Sequence, residues 1–199
     1  MLTVCNPSRF LQDVAVQLIW TSNIDTDIIH GDIKPHNVLV FKHATGKTTV
    51  QVTDFGYSAF AASEAFVSGG GGRVFLPKSR PWNAPEHHFG EFTVTEAKKT
   101  DVYSFGMLCL WVLLVSTHIP HMTQIVSFES SSGPLTPLEQ LKADDKLERM
   151  AYKHMESLPD FNIEHRKQLQ EFFSMALQCN PEKRVSNLGK LLHLLRMEP

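Results

Sequence analysis

The stretch His30-Gly31-Asp32-Ile33-Lys34-Pro35-His36-Asn37 crowds a carboxylate, an ammonium and an amide into a short loop punctuated by Pro35. A second carboxylate follows in Asp54-Phe55-Gly56. Hard oxygen atoms such as the Asn37 amide and the Asp54 carboxylate suit a hard cation such as magnesium. Lys34 adds a positive charge two residues beyond Asp32. The runs Asn37–Lys42 (NVLVFK) and Thr48–Thr53 (TTVQVT), rich in β-branched residues and joined by HATGK, predict a short antiparallel hairpin. A hairpin returns the chain on itself, so positions 37 and 54, at its outer ends, can face one ion.

The elements that must hold this loop and hairpin are mostly helical. Apolar spacing predicts a helix over 10–20 (FLQDVAVQLIW), and helices over roughly 101–116, 136–157, 163–178 and 185–196. The fold class expected is mainly α with a short β-hairpin. The apolar run Phe105–Val115 (FGMLCLWVLLV) falls short of the roughly 20 residues of a membrane helix, so it is expected as the most buried helix. Small residues dominate between Ser58 and Trp82, and the run Gly69–Gly72 predicts a mobile loop.

The whole-chain balance excludes several classes. With 19 Lys and Arg against 21 Asp and Glu in 199 residues, the chain offers no electrostatic footprint for nucleic acid or an anionic membrane. Cys5, Cys109 and Cys179 are widely spaced and odd in number, which suggests neither a zinc ribbon nor a disulfide framework. An intracellular location, cytoplasmic or nuclear, is the natural reading. The first ten residues carry one basic residue and no long apolar stretch, so no signal peptide is expected.

Further along come Ala84-Pro85-Glu86, Asp101-Val102-Tyr103-Ser104-Phe105-Gly106, and Cys179-Asn180-Pro181-Glu182-Lys183-Arg184. Taken in order with the first two segments, they resemble the eukaryotic-type protein kinases, from about residue 10 to 196. The resemblance implies a catalytic loop at 30–37, a metal triplet at 54–56, an activation segment at 54–86 and a helical bundle at 101–196. All of these belong to the larger lobe of a protein-kinase-like fold.

It also implies roles. Asp32 would orient an acceptor hydroxyl and take its proton, and Lys34 would counter charge on the transferred phosphoryl group of ATP. Asn37 and Asp54 would hold Mg2+. Ser79 would contact Asp32 and Lys34, within a protein-substrate segment that includes Ala84, Pro85 and Glu86. His30, Phe55, Gly56, Asp101 and Arg184 would be structural: His30 packed inside, Gly56 allowing a sharp turn, and Asp101 capping the helix start while holding the loop backbone. Arg184 would pair with Glu86. A lysine two residues after the aspartate marks the serine/threonine branch.

Gly31 stands where most members have an arginine that pairs with a phosphorylated loop, so that switch is not expected. The family's glycine-rich loop, ATP-anchoring lysine and partner glutamate should precede His30 and do not. A kinase fragment lacking its smaller lobe, inactive alone and with a face open to a docking partner, is therefore expected. The alternative is a pseudokinase-like binding or scaffold module. A small-molecule phosphotransferase fits less well, because such enzymes generally lack the Ala-Pro-Glu segment. His87–His88 and His118-x-x-His121 lack third and fourth metal partners and are expected as surface or capping histidines. Ser58, Ser63 and Ser68 could accept phosphate, though serine is ordinary loop composition.

Overall fold

A computed structural model describes residues 28–45, 48–60, 73–116, 135–156 and 162–195. The expected helix at 10–20, the Gly69–Gly72 run, Ser63, Ser68, His118 and His121 lie outside the described residues.

Strands β2 (Val38–Lys42) and β3 (Thr48–Val52) pair antiparallel, with Val38 opposite Val52 and Lys42 opposite Thr48. Val38, Val50 and Val52 are buried while Leu39 and Phe41 stay exposed, so β-branched pairs line the core side. Two short ladders too brief to show alternation join them. Strand β1 (Ile28–Ile29) pairs with β4 (Ala59–Phe60), and β5 (Val74–Phe75) pairs with β6 (Glu91–Phe92).

The central helix α1 spans Val94–Ser116, beginning a full two turns before the expected start at 101. The cause is a capping box. Thr93 N donates to Glu96 Oε2 at 2.7 Å, and Glu96 N donates back to Thr93 Oγ1 at 3.3 Å. Asp101 therefore lies inside the helix and does not cap it. Every residue from 101 to 110 is buried.

The helix expected over 136–157 is two helices, α2 (Pro137–Ala143) and α3 (Leu147–Glu156). Asp145 takes a left-handed conformation, with φ 55°. Lys146 N then bonds Leu141 O at 2.8 Å and Asp145 N bonds Lys142 O at 3.2 Å, which closes the first helix in a Schellman arrangement. Helix α4 (Ile163–Ala176) starts where Asn162 Oδ1 accepts from His165 N at 2.8 Å. The last helix is shorter than the expected 185–196: α5 (Gly189–Leu192) runs into a single 3-10 turn at His193–Leu195.

The main core sits between α1, α3, α4 and the chain's end, with Val38, Val50, Val52 and Trp82 joining from the hairpin side. Phe105 meets Phe172 edge-on at 5.9 Å. At Gly106 the two helices approach so closely that a Cβ would lie 2.9 Å from Ala176 Cβ. Among the described residues no helix is long and apolar enough to cross a membrane.

Candidate active site

The loop at 30–37 is shaped from below by α1. Both oxygens of Asp101 accept loop amides, Oδ2 from His30 N at 2.7 Å and Oδ1 from Gly31 N at 2.9 Å. Burial pushes the Asp101 carboxyl up to about 7 in spite of these two donors. Gly31 has φ 80°, and a Cβ there would lie 2.8 Å from Leu76 Cδ2 and 3.2 Å from Tyr57 O. Backbone and space both demand glycine. The buried His30 ring accepts from Asp32 N at Nδ1, 3.2 Å, and donates from Nε2 to Thr53 O, 3.1 Å. Those two partners define a neutral tautomer, and burial lowers the ring's pKa to match. Phe55 lies against it, 4.8 Å between ring centres.

Four polar side chains converge above this base. Asp32 Oδ2 accepts from Lys34 Nζ at 2.6 Å and from Asn37 Nδ2 at 3.2 Å. Its other oxygen, Oδ1, is buried without a hydrogen-bond partner. Lys34 Nζ also donates to Ser79 Oγ at 3.1 Å, and Asn37 Nδ2 to Asp32 O at 2.8 Å. Thr53 N donates to Asn37 O at 2.9 Å, so the hairpin brings Asp54 back beside the loop.

Asp54, not Gly56, carries the unusual backbone, with φ 64° and ψ 67°. Gly56 sits in a 3-10 turn over Phe55–Tyr57, and its N–H donates to Asp54 Oδ1 at 3.4 Å. The Asp54 residue is exposed while Asn37 is buried. Because Nδ2 is committed to Asp32, the Asn37 amide turns Oδ1 away as an acceptor. The Asn37 amide oxygen and the exposed Asp54 carboxylate make a hard-oxygen pair that suits magnesium, which leaves the partnerless Asp32 Oδ1 outside it. Among the described residues no three His, Cys, Asp or Glu side chains gather as a metal site. A metal held here would complete its shell with phosphate oxygens and water, as magnesium prefers.

The segment 79–86 runs from this network to the helices. Trp82 N and Asn83 N both donate to Ser79 O, at 2.8 and 3.1 Å. Glu86 forms a two-pronged ion pair with Arg184, Oε1 to Nη1 at 2.5 Å and Oε2 to Nη2 at 3.1 Å. Arg184 also donates to Gln178 O and Lys99 O, and its guanidinium lies 4.7 Å over the Tyr103 ring. His87, expected as a surface or capping histidine, is buried against Phe92 with ring centres 5.1 Å apart. Ser58, read as a possible phosphate acceptor, is half-buried and donates its hydroxyl to His30 O at 3.3 Å.

The sequence profile of the protein kinase domain matches residues 15–195. The chain belongs to the protein kinase domain family. A mitogen-activated protein kinase kinase kinase 7-like protein of Drosophila melanogaster is 27% identical over 177 residues, covering 85% of the chain and 40% of that protein. Receptor-interacting serine/threonine-protein kinase 2 of Bos taurus is 24% identical over 193 residues, 94% of the chain and 31% of that protein. The serine/threonine-protein kinase CTR1 of Arabidopsis thaliana is 38% identical over 103 residues, 51% of the chain and 11% of that protein. The chain spans less than half the length of these curated relatives.

Sequence reasoning missed several residues of this kinase domain that organise the site. Arg80, Glu139 and Lys142 hold segment 79–86 to α2. Tyr103 lies between two cations, Lys142 and Arg184. Thr136-x-x-Glu139 was readable as a capping box, but its second duty toward Arg80 crosses 59 positions and leaves no local signal.

Proposed function

We propose that this kinase domain moves the ATP γ-phosphate to serine or threonine hydroxyls of protein substrates, with Asp32 receiving the hydroxyl proton. The observation that carries this reading is the buried, partnerless Asp32 Oδ1. Lys34 and Asn37 occupy Oδ2 and fix the carboxylate's orientation, which leaves Oδ1 as the acceptor for an incoming O–H. Lys34 brings positive charge beside the spot where negative charge develops, and Ser79 steadies the ammonium. Asn37 Oδ1 and the Asp54 carboxylate would hold Mg2+, which when bound supplies charge neutralisation on the phosphates. The segment 79–86, braced by the Glu86–Arg184 pair, would seat the acceptor peptide. Lys34 and the serine/threonine kinases among the relatives support the choice of hydroxyl. Leu39 and Phe41, each 44% exposed on the outer face of the hairpin, suit cover by a further lobe or partner. The cysteine pattern supports an intracellular setting.

The test is transfer from labelled ATP to serine and threonine substrates by the natural polypeptide that carries these residues. Asp32→Asn keeps the size and the contact with Lys34 but cannot take a proton. Transfer should fall by about 100-fold or more while nucleotide binding stays. Equal transfer by the variant would overturn the role of Asp32. Magnesium-nucleotide binding without any transfer in the parent would favour a scaffold.

A further inference from the structure

Segment 79–86 touches the catalytic network at Ser79 and the terminal helices at Glu86. Between those anchors it is gripped by the short helix α2. We propose that Lys142 and Glu139 of α2 are positioning residues that fix the shape of the substrate segment, so that the platform beside Asp32 is assembled by the chain itself. The substrate role of the segment rests on the function proposed above; the clasp itself does not.

The contacts divide the work. Lys142 Nζ donates to Pro81 O at 3.0 Å and to Asn83 O, the carbonyls on either side of Trp82. Trp82 is buried and meets Trp111 of α1 almost perpendicularly, 6.3 Å between ring centres. Carbonyl capture reads backbone shape and is indifferent to side-chain identity, so one ammonium sets two peptide planes, 81–82 and 83–84, around the buried Trp82. Glu139 acts on the preceding residue: Oε1 accepts from Arg80 Nε, while Oε2 accepts from Thr136 N at 2.9 Å and Thr136 Oγ1 at 3.0 Å. Both carboxylate oxygens are thereby committed, one to the segment and one to the start of α2. The helix cannot shift without dragging Arg80.

The surroundings explain why a lysine is kept there. Its ammonium lies 5.4 Å over the Tyr103 ring, and charged or titratable groups around it include Glu139, Glu86, Cys179, Arg184 and His87. Burial lowers the Lys142 pKa to about 8. A cation retained against that desolvation needs its water replaced, and two carbonyls and an aromatic face do so. Gly31, by contrast, presents no side chain with which to grip a phosphate on the neighbouring loop. Between the anchors at Ser79 and Glu86, the polar hold on the segment comes from α2.

Hydrogen exchange read by mass spectrometry on the whole chain tests this without requiring catalysis. Peptides covering 79–86 are compared with those covering 101–116. Lys142→Met should speed exchange in 79–86 by about tenfold while 101–116 keeps its parental rate. Lys142→Arg, which retains donors and charge over Tyr103, should stay within about twofold of the parent. Unchanged exchange at 79–86 in Lys142→Met overturns the proposal, and so does an equal rise in both regions, which marks a merely structural role. If Lys142→Met does not fold, Glu139→Gln is read by the same criteria. Where transfer is measurable, Lys142→Met should raise the peptide KM more than it lowers kcat. A chain that shows the clasp by exchange yet transfers no phosphate would sink the kinase mechanism and leave the clasp standing.

Discussion

Replacing Arg184 by methionine removes a side chain with no solvent exposure and breaks its pair with Glu86, itself only 11% exposed. Removing one partner of a buried ion pair costs about 3–5 kcal/mol, because the other charge stays behind. The carbonyls of Gln178 and Lys99 lose donors in the same stroke, and the stack on Tyr103 goes with them. These losses overlap and do not add in full, so the expected total is about 5 kcal/mol. Against a typical stability of roughly 5–15 kcal/mol, that places the variant close to unfolding. Glu86→Gln keeps the shape and one acceptor, and should lose about 2–3 kcal/mol. The double variant strands no charge, so it should be about 2–3 kcal/mol more stable than the sum of the singles predicts. Urea unfolding followed by the fluorescence of the buried Trp82 and its neighbour Trp111 gives all four values of the cycle. A loss below about 1 kcal/mol for Arg184→Met, or strict additivity, would refute this account of the pair.

Gly31→Arg should destabilise the fold by about 2–4 kcal/mol, since it forces a left-handed side chain into Leu76; thermal melting checks this, and an unchanged midpoint would mean that the loop relaxes freely. Asp101 makes a signed prediction with pH. Its folded pKa, about 7, stands above the ordinary 3.8, so between those values the folded state binds the proton more tightly. Its ionisation therefore opposes folding: stability falls as pH rises from about 4 to about 7, by at most about 1.4 kcal/mol per unit, and is flat above. Asp101→Asn removes that slope while losing one acceptor at every pH. A parent-minus-variant difference that stays constant across the range would contradict the assignment.

The parts of the fold that were legible carry local signals. Val38, Val40, Val50 and Val52 alternate as a two-sided hairpin should, and the run from Phe105 to Val115 is too apolar for anything but a core. The break after Ala143 was illegible because no glycine or proline marks it; Asp145 supplies the left-handed residue instead. A similar exchange occurs at Asp54, where the aspartate bends and the glycine two residues on does not. The start of α1 was in plain view in Thr93-Val94-Thr95-Glu96, but apolar periodicity begins later and drew the boundary inward. The Glu86–Arg184 pair spans 98 positions, and only the likeness to a known family brought its members together. Lys142 had no such guide. Its partners are carbonyls, and carbonyls leave no trace in a sequence.

The two bonds from Asp101 to the amides of His30 and Gly31 have a consequence for proteolysis. A protease must draw a stretch of chain out of its contacts before it cuts, so it reports on whatever must come apart to free that stretch. At 30–37 the amides are fastened to the buried middle of α1, and freeing them means disrupting that helix or expelling a buried carboxylate from its donors. Nicking in this loop should thus proceed no faster than the core itself opens, although most surface loops are cut far more readily. The loop is a connection by its place in the chain and part of the interior by its mechanics.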